Sequence, residues 1–111
     1  MSRKAPYSKR RYERIPVNEG ICCIDKGSQN LGKLLDCSAE GMLIETQVSD
    51  PMNPNLEIVI TTGKEQLHVP TQVVRMYKKH GVLTKVGVKV LSNENKYIQF
   101  VLRSALRDVA E

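Results

Sequence analysis

The sequence predicts an all-β protein, an antiparallel barrel or sandwich of some six short strands, followed by one C-terminal α-helix. Three observations predict it. Short runs alternate their side chains, as where Leu56, Ile58 and Ile60 interleave with Glu57, Val59 and Thr61, which is the period of a strand with one buried face. Clusters of turn formers interrupt the chain repeatedly, among them Asp25-Lys26-Gly27-Ser28-Gln29-Asn30 and Thr62-Gly63-Lys64-Glu65. Past Ser92 the apolar spacing changes to three and four residues, the spacing of an amphipathic helix.

Residues 1–14 lie outside that pattern. They hold Arg3, Lys4, Lys9, Arg10, Arg11 and Arg14 against Glu13 alone, with few apolar groups, and are expected to form a flexible basic segment. Pro6 and Pro16 discourage a continuous helix there. Residues 15–111 are expected to form the folded domain. Val17 to Ile24 is the first strand, with Gly20 marking a bulge or a close backbone approach. Asp25 to Asn30 closes a hairpin loop, and Leu31 to Cys37 is the second strand. Ser38-Ala39-Glu40-Gly41 is a turn in which Gly41 supplies a backbone angle that other residues resist. Met42 to Gln47 is the third strand, and Asp50 to Asn55, with Pro51 and Pro54, is a loop. Leu56 to Thr62 and Leu67 to Tyr77 are the fourth and fifth strands, with Pro70 at an edge or a bulge. Lys78 to Gly81 turns the chain into the last strand, Val82 to Leu91. Ser92 or Asn93 caps the helix. Its stripe is Ile98, Val101, Leu102, Ala105, Leu106 and Val109, expected to pack on the sheet and cover an open end or edge of it.

With 111 residues the chain suits one domain with one core. No apolar run approaches the roughly 18 residues of a membrane span, and the basic N-terminus lacks the apolar stretch of a secretory signal. The net charge is +5, and residues 15–111 carry 11 basic and 11 acidic groups, so the whole excess lies in residues 1–14. That segment is expected to attract a polyanion. Cys22, Cys23 and Cys37 include an adjacent pair but no C-x-x-C spacing. They read as reduced, mostly buried small hydrophobes in a cytoplasmic protein, with Cys22 and Cys23 on opposite faces of a strand. His68 and His80 stand apart from other ligand-type residues. No nucleophile–base pair, metal cluster or G-x-x-x-x-G-K loop is present, so neither catalysis nor a metal is expected.

The chemistry concentrates at two short motifs. Arg10 and Arg14 form R-x-x-x-R, and Asp36, Ser38 and Gly41 form D-x-S-x-x-G. Arginine forks suit phosphate and the O6/N7 edge of guanine. Asp36 and Ser38, two apart on one strand face, offer acceptors for the N–H groups of a guanine edge. Either motif alone is weak, but one strand-length passage separates them, so the second can fold back beside the first. Together they suggest a site for a guanine nucleotide carrying phosphate charge.

Those residues resemble the signature of the PilZ domain, the bacterial receptor module for the second messenger cyclic di-GMP. The resemblance extends to Met42-Leu43-Ile44 after the second motif, to Val73-Val74-Arg75, to Val86-Gly87-Val88-Lys89-Val90 and to the terminal helix, covering roughly residues 9–110. It implies a six-stranded antiparallel β-barrel with a C-terminal α-helix. It implies that Arg10 and Arg14 clasp phosphate and guanine, that Asp36 and Ser38 contact guanine from the barrel, and that Gly41 leaves room and shapes the turn. The N-terminal segment would wrap over the ligand and become ordered. In this family the residue before the first arginine influences whether one ligand or an intercalated pair binds; here it is Lys9, which leans toward the pair. Arg11 is a further candidate contact. Two positions depart from the family's pattern, Cys37 where a β-branched residue is common and Val90 where a phenylalanine is common.

The resemblance implies a binding module rather than an enzyme, a one-domain cyclic di-GMP receptor whose output passes through a downstream protein partner. The alternative is a protein-interaction adaptor of the same fold that works without nucleotide, as relatives lacking the arginines do; the intact motifs argue against it. Nonspecific nucleic-acid binding by the basic tail has only Tyr7 and Tyr12 to stack on bases, and is disfavoured.

Overall fold

The computed structural model describes residues 14–47, 54–80, 83–92 and 94–110. Six strands appear in chain order, β1 (Ile15–Asp25), β2 (Ser28–Cys37), β3 (Gly41–Thr46), β4 (Asn55–Thr62), β5 (Glu65–His80) and β6 (Leu83–Val90), and then one helix, α1 (Asn95–Ala110). Every pairing is antiparallel, and the sheet closes as β1-β2-β3-β6-β5-β4 with β4 back against β1. The sandwich alternative falls away because both edges of the sheet find partners, which leaves no open edge to protect.

Alternation puts Ile21, Cys23, Leu34, Ile44, Ile58, Ile60, Val86 and Val88 inside the barrel. Closure needs local coiling, and bulges supply it. Register shifts fall between Pro16 and Glu19, between Leu34 and Asp36, between Val73 and Arg75, and between Met76 and Lys79. The bulge expected at Gly20 thus lies just before it, and a Cβ at Gly20 would meet nothing within 4 Å. Pro70 marks no bulge either. It sits in the regular β4–β5 ladder opposite Glu57, and its carbonyl accepts from the Leu91 N–H at 2.9 Å. Its missing N–H falls on that same side, where the β5–β6 ladder ends.

Two connections are tighter than the composition suggests. Asp25 pairs with Ser28 across Lys26 and Gly27, both at positive φ (52° and 86°), the backbone of a two-residue hairpin turn. The strand therefore resumes at Ser28 instead of Leu31. At the other end β5 runs on to His80, which pairs with Leu83, so residues 78–80 extend the strand where a turn was expected.

Helix α1 packs against β1 and β5. Its first intrahelical bond runs from Ile98 N–H to the Glu94 carbonyl, so Glu94 takes the N-cap place, not Ser92; Asn93 lies outside the described residues. The buried face is also rotated from the expected stripe. Tyr97, Phe100, Val101 and Ser104 are buried, Ile98 and Ala105 are half-buried, and Leu102 and Leu106 face outward at 58% and 69% exposure. The reason is size: two aromatic rings fill more of the barrel end than leucines would, and they fix the face that turns inward. Val109 lies beyond the residues whose side chains are described.

Candidate functional site

The β1–β2 hairpin brings Arg14, the last residue of the first motif, to the second motif. Ile15 pairs with Cys37 and Pro16 with Asp36, so the residue just before β1 lands beside the end of β2. Arg14 Nη1 donates to Asp36 Oδ1 at 2.7 Å, across 22 residues of chain. Both side chains are partly exposed, at 31% and 23%. A pair this accessible adds little stability, typically under about 1 kcal/mol. Its consequence is placement, since it sets a guanidinium and a carboxylate side by side on the outer wall. Lys9, Arg10 and Arg11 lie outside the described residues.

The second motif does not present Asp36 and Ser38 on one strand face. β2 ends at Cys37, and Ser38 opens the turn with only 6% of its surface exposed. Its Oγ accepts from the N–H groups of Glu40 and Gly41, each at 3.3 Å, while its own N–H donates to the Gly41 carbonyl at 2.9 Å. Alternation predicts a shared face only while the strand continues, and here it stops between the two residues. In this arrangement Ser38 holds the turn.

Gly41 also works differently from the expectation. Its φ is not positive; among described glycines only Gly27 and Gly63 take that conformation. What excludes a side chain is distance: a Cβ on Gly41 would lie 2.5 Å from the Val88 carbonyl oxygen. Gly41 pairs with Lys89, and the Glu40 carbonyl accepts from Val90 N–H at 2.8 Å, so the turn lies flush against β6.

Behind the turn the core is closed. Cys37 is fully buried, and burial pushes its thiol up to about 11, with Asp36 adding to the shift and Arg14 opposing it. The Tyr97 hydroxyl donates to the Ser38 carbonyl at 2.6 Å and lies 3.3 Å from the Gly41 carbonyl. Cys23 is buried and Cys22 only partly so, in keeping with opposite strand faces.

Pairing extends the site across the wall. Asp36 is opposite Leu43, Leu43 opposite Gly87, and Gly87 opposite Arg75, one row across β2, β3, β6 and β5. Tyr77, 43% exposed, covers Gly87, with its Cε2 3.7 Å from where a Cβ would be, and the Arg75 guanidinium sits 5.9 Å from the Tyr77 ring centre. Spacing in the sequence holds no site signal for Arg75 and Tyr77, because cross-strand register alone brings them to this wall. Among the described residues no three His, Cys, Asp or Glu side chains gather as a metal site would need. No described helix is long and apolar enough to cross a membrane.

No curated protein matches the sequence. The fold matches solved structures at low identity. The PilZ domain with cyclic di-GMP of YcgR from Escherichia coli is 16% identical, with TM-score 0.66 and 92% of each chain covered. The Bacillus subtilis inhibitor of motility is also 16% identical, with TM-score 0.69 over 88% of this chain and 50% of that one. MrkH, described as a cyclic di-GMP-dependent transcription regulatory factor, is 12% identical, with TM-score 0.66 over 92% of this chain and 52% of that one. This chain thus spans about half the length of the latter two. The sequence profile of the PilZ domain, a ligand-binding receptor domain, matches residues 8–105, and with it the barrel, the helix and the Arg14–Asp36 contact place this chain in the PilZ domain family.

Proposed function

We propose that this protein is a cyclic di-GMP receptor. The observation that carries the reading is the Arg14–Asp36 contact, which joins the last residue of R-x-x-x-R to the first of D-x-S-x-x-G on the wall of a PilZ barrel. Guanidinium forks at Arg10 and Arg14 take phosphate and guanine, and Asp36 takes guanine N–H groups. Ser38 and Gly41 shape the turn on which the base rests. Lys9 and Arg11 extend the basic rim, with Lys9 favouring an intercalated pair of ligands. Arg75, on the same row as Asp36, offers a cation at the far bank, and Tyr77, beside its guanidinium, offers an aromatic face. The domain performs no chemistry on the nucleotide. It works in the cytoplasm, where residues 1–14 close over the ligand and a partner protein reads the changed surface.

Calorimetric titration with cyclic di-GMP, with GTP as control, tests this. A micromolar or tighter isotherm specific for cyclic di-GMP is the expected result, and a stoichiometry of two ligands per chain is expected for the pair. An absence of heat, with unchanged NMR amide signals, moves the function to the nucleotide-independent adaptor.

A further inference from the structure

The D-x-S-x-x-G turn is held from behind by the terminal helix. The Tyr97 hydroxyl lies 2.6 Å from the Ser38 carbonyl and 3.3 Å from the Gly41 carbonyl, residues 59 and 56 positions away in the chain. Tyr97 is only 2% exposed. Burial, helped by Cys37, holds its hydroxyl above the ordinary range, so it stays a proton donor. Filling the barrel end requires no hydroxyl, since Phe100 on the same helix face does so without one. The oxygen of Tyr97 is instead placed at the first and last residues of the binding turn, which Ser38 N–H and the Gly41 carbonyl already close at 2.9 Å. Asp36 stands two residues before that turn and is tied to Arg14.

We infer that Tyr97 is a positioning residue for cyclic di-GMP, and that through its hydroxyl helix α1 senses occupancy of the site. The inference rests on the receptor reading above. A ligand that stiffens the turn stiffens what is bonded to it, and by linkage the hydroxyl bond that holds the turn strengthens ligand binding by the same factor.

Tyr97→Phe keeps the ring and removes only the hydroxyl. In the ligand-free protein, amide exchange at Glu40 and Gly41 and along α1 should quicken about three- to tenfold, the range for one lost buried hydrogen bond. Val101→Ala loosens the same helix through packing alone; it should quicken α1 and leave Glu40 and Gly41 unchanged. With cyclic di-GMP, exchange along wild-type α1 should slow. Tyr97→Phe should bind about three- to tenfold more weakly and lose that helix response, while Val101→Ala binds within about twofold of wild type. Unchanged turn amides in Tyr97→Phe, or an equal loss of affinity in Val101→Ala, overturns the inference. A Tyr97 hydroxyl proton protected from solvent in wild-type NMR spectra checks the bond without substitution, and exchange at the solvent rate overturns it. Wild type that binds no cyclic di-GMP overturns the receptor reading instead, and the ligand-free exchange still decides whether Tyr97 fixes the turn.

Discussion

A guanidinium carries five N–H donors, and Arg14 engages Asp36 through Nη1, so holding the carboxylate and receiving an anion are compatible tasks. Arg14→Ala is therefore expected to lose at least about tenfold in affinity for cyclic di-GMP, or about 1.4 kcal/mol, by calorimetry. Arg14→Lys should weaken binding too, because a point charge cannot fork. Wild-type affinity in both variants removes Arg14 from the site. Gly41 acts through space instead of charge. Gly41→Ala puts a methyl 2.5 Å from the Val88 carbonyl, so either β3 or β6 must shift. The expected cost is about 1–3 kcal/mol, read as an earlier unfolding midpoint. A midpoint equal to wild type shows that the turn has room after all.

The inward face of α1 is set by Tyr97, Phe100, Val101 and Ser104, at spacings of three, one and three residues. That is a sound helical stripe, but it includes a serine and a tyrosine that an aliphatic reading passes over. Phe100 is 2% exposed and its loss should cost about 3–5 kcal/mol, measured by denaturant unfolding of Phe100→Ala. Leu102→Ser and Leu106→Ser should stay within about 0.5 kcal/mol, because both residues face outward. The opposite ranking restores the stripe read from leucine spacing. The bulges belong to this scale as well. The shift between Leu34 and Asp36 re-aims the end of β2, just where Asp36 must meet Arg14.

Across the whole molecule, charge and fold are separable. The acidic and basic groups of residues 15–111 cancel, and the net +5 resides in residues 1–14. The described residues close the barrel among themselves, with β1 beginning at Ile15 and paired on both sides. Removing residues 1–13 should thus leave stability within about 0.5 kcal/mol. It should weaken cyclic di-GMP binding at least about tenfold, and the remaining affinity should depend less on salt. Full affinity in the shortened chain places the contacts on the barrel alone and takes Lys9, Arg10 and Arg11 out of the site.

Local patterning alone determined the strands, the terminal helix, the basic segment and the two motifs. Period-two alternation, turn formers and charge all act over a few residues, so a linear reading captures them. The barrel itself came from family resemblance, because closure depends on β4 reaching β1. Only the tertiary structure decided that Ser38 faces its own turn, that Gly41 is required by the nearness of Val88, and that Tyr97 and Arg75 belong with residues far away in the chain. The physical reason is common to all of these. Register across β2, β3, β6 and β5, and the docking of α1 on the barrel, are set by the joint packing of the closed core, and no stretch of sequence carries that packing by itself.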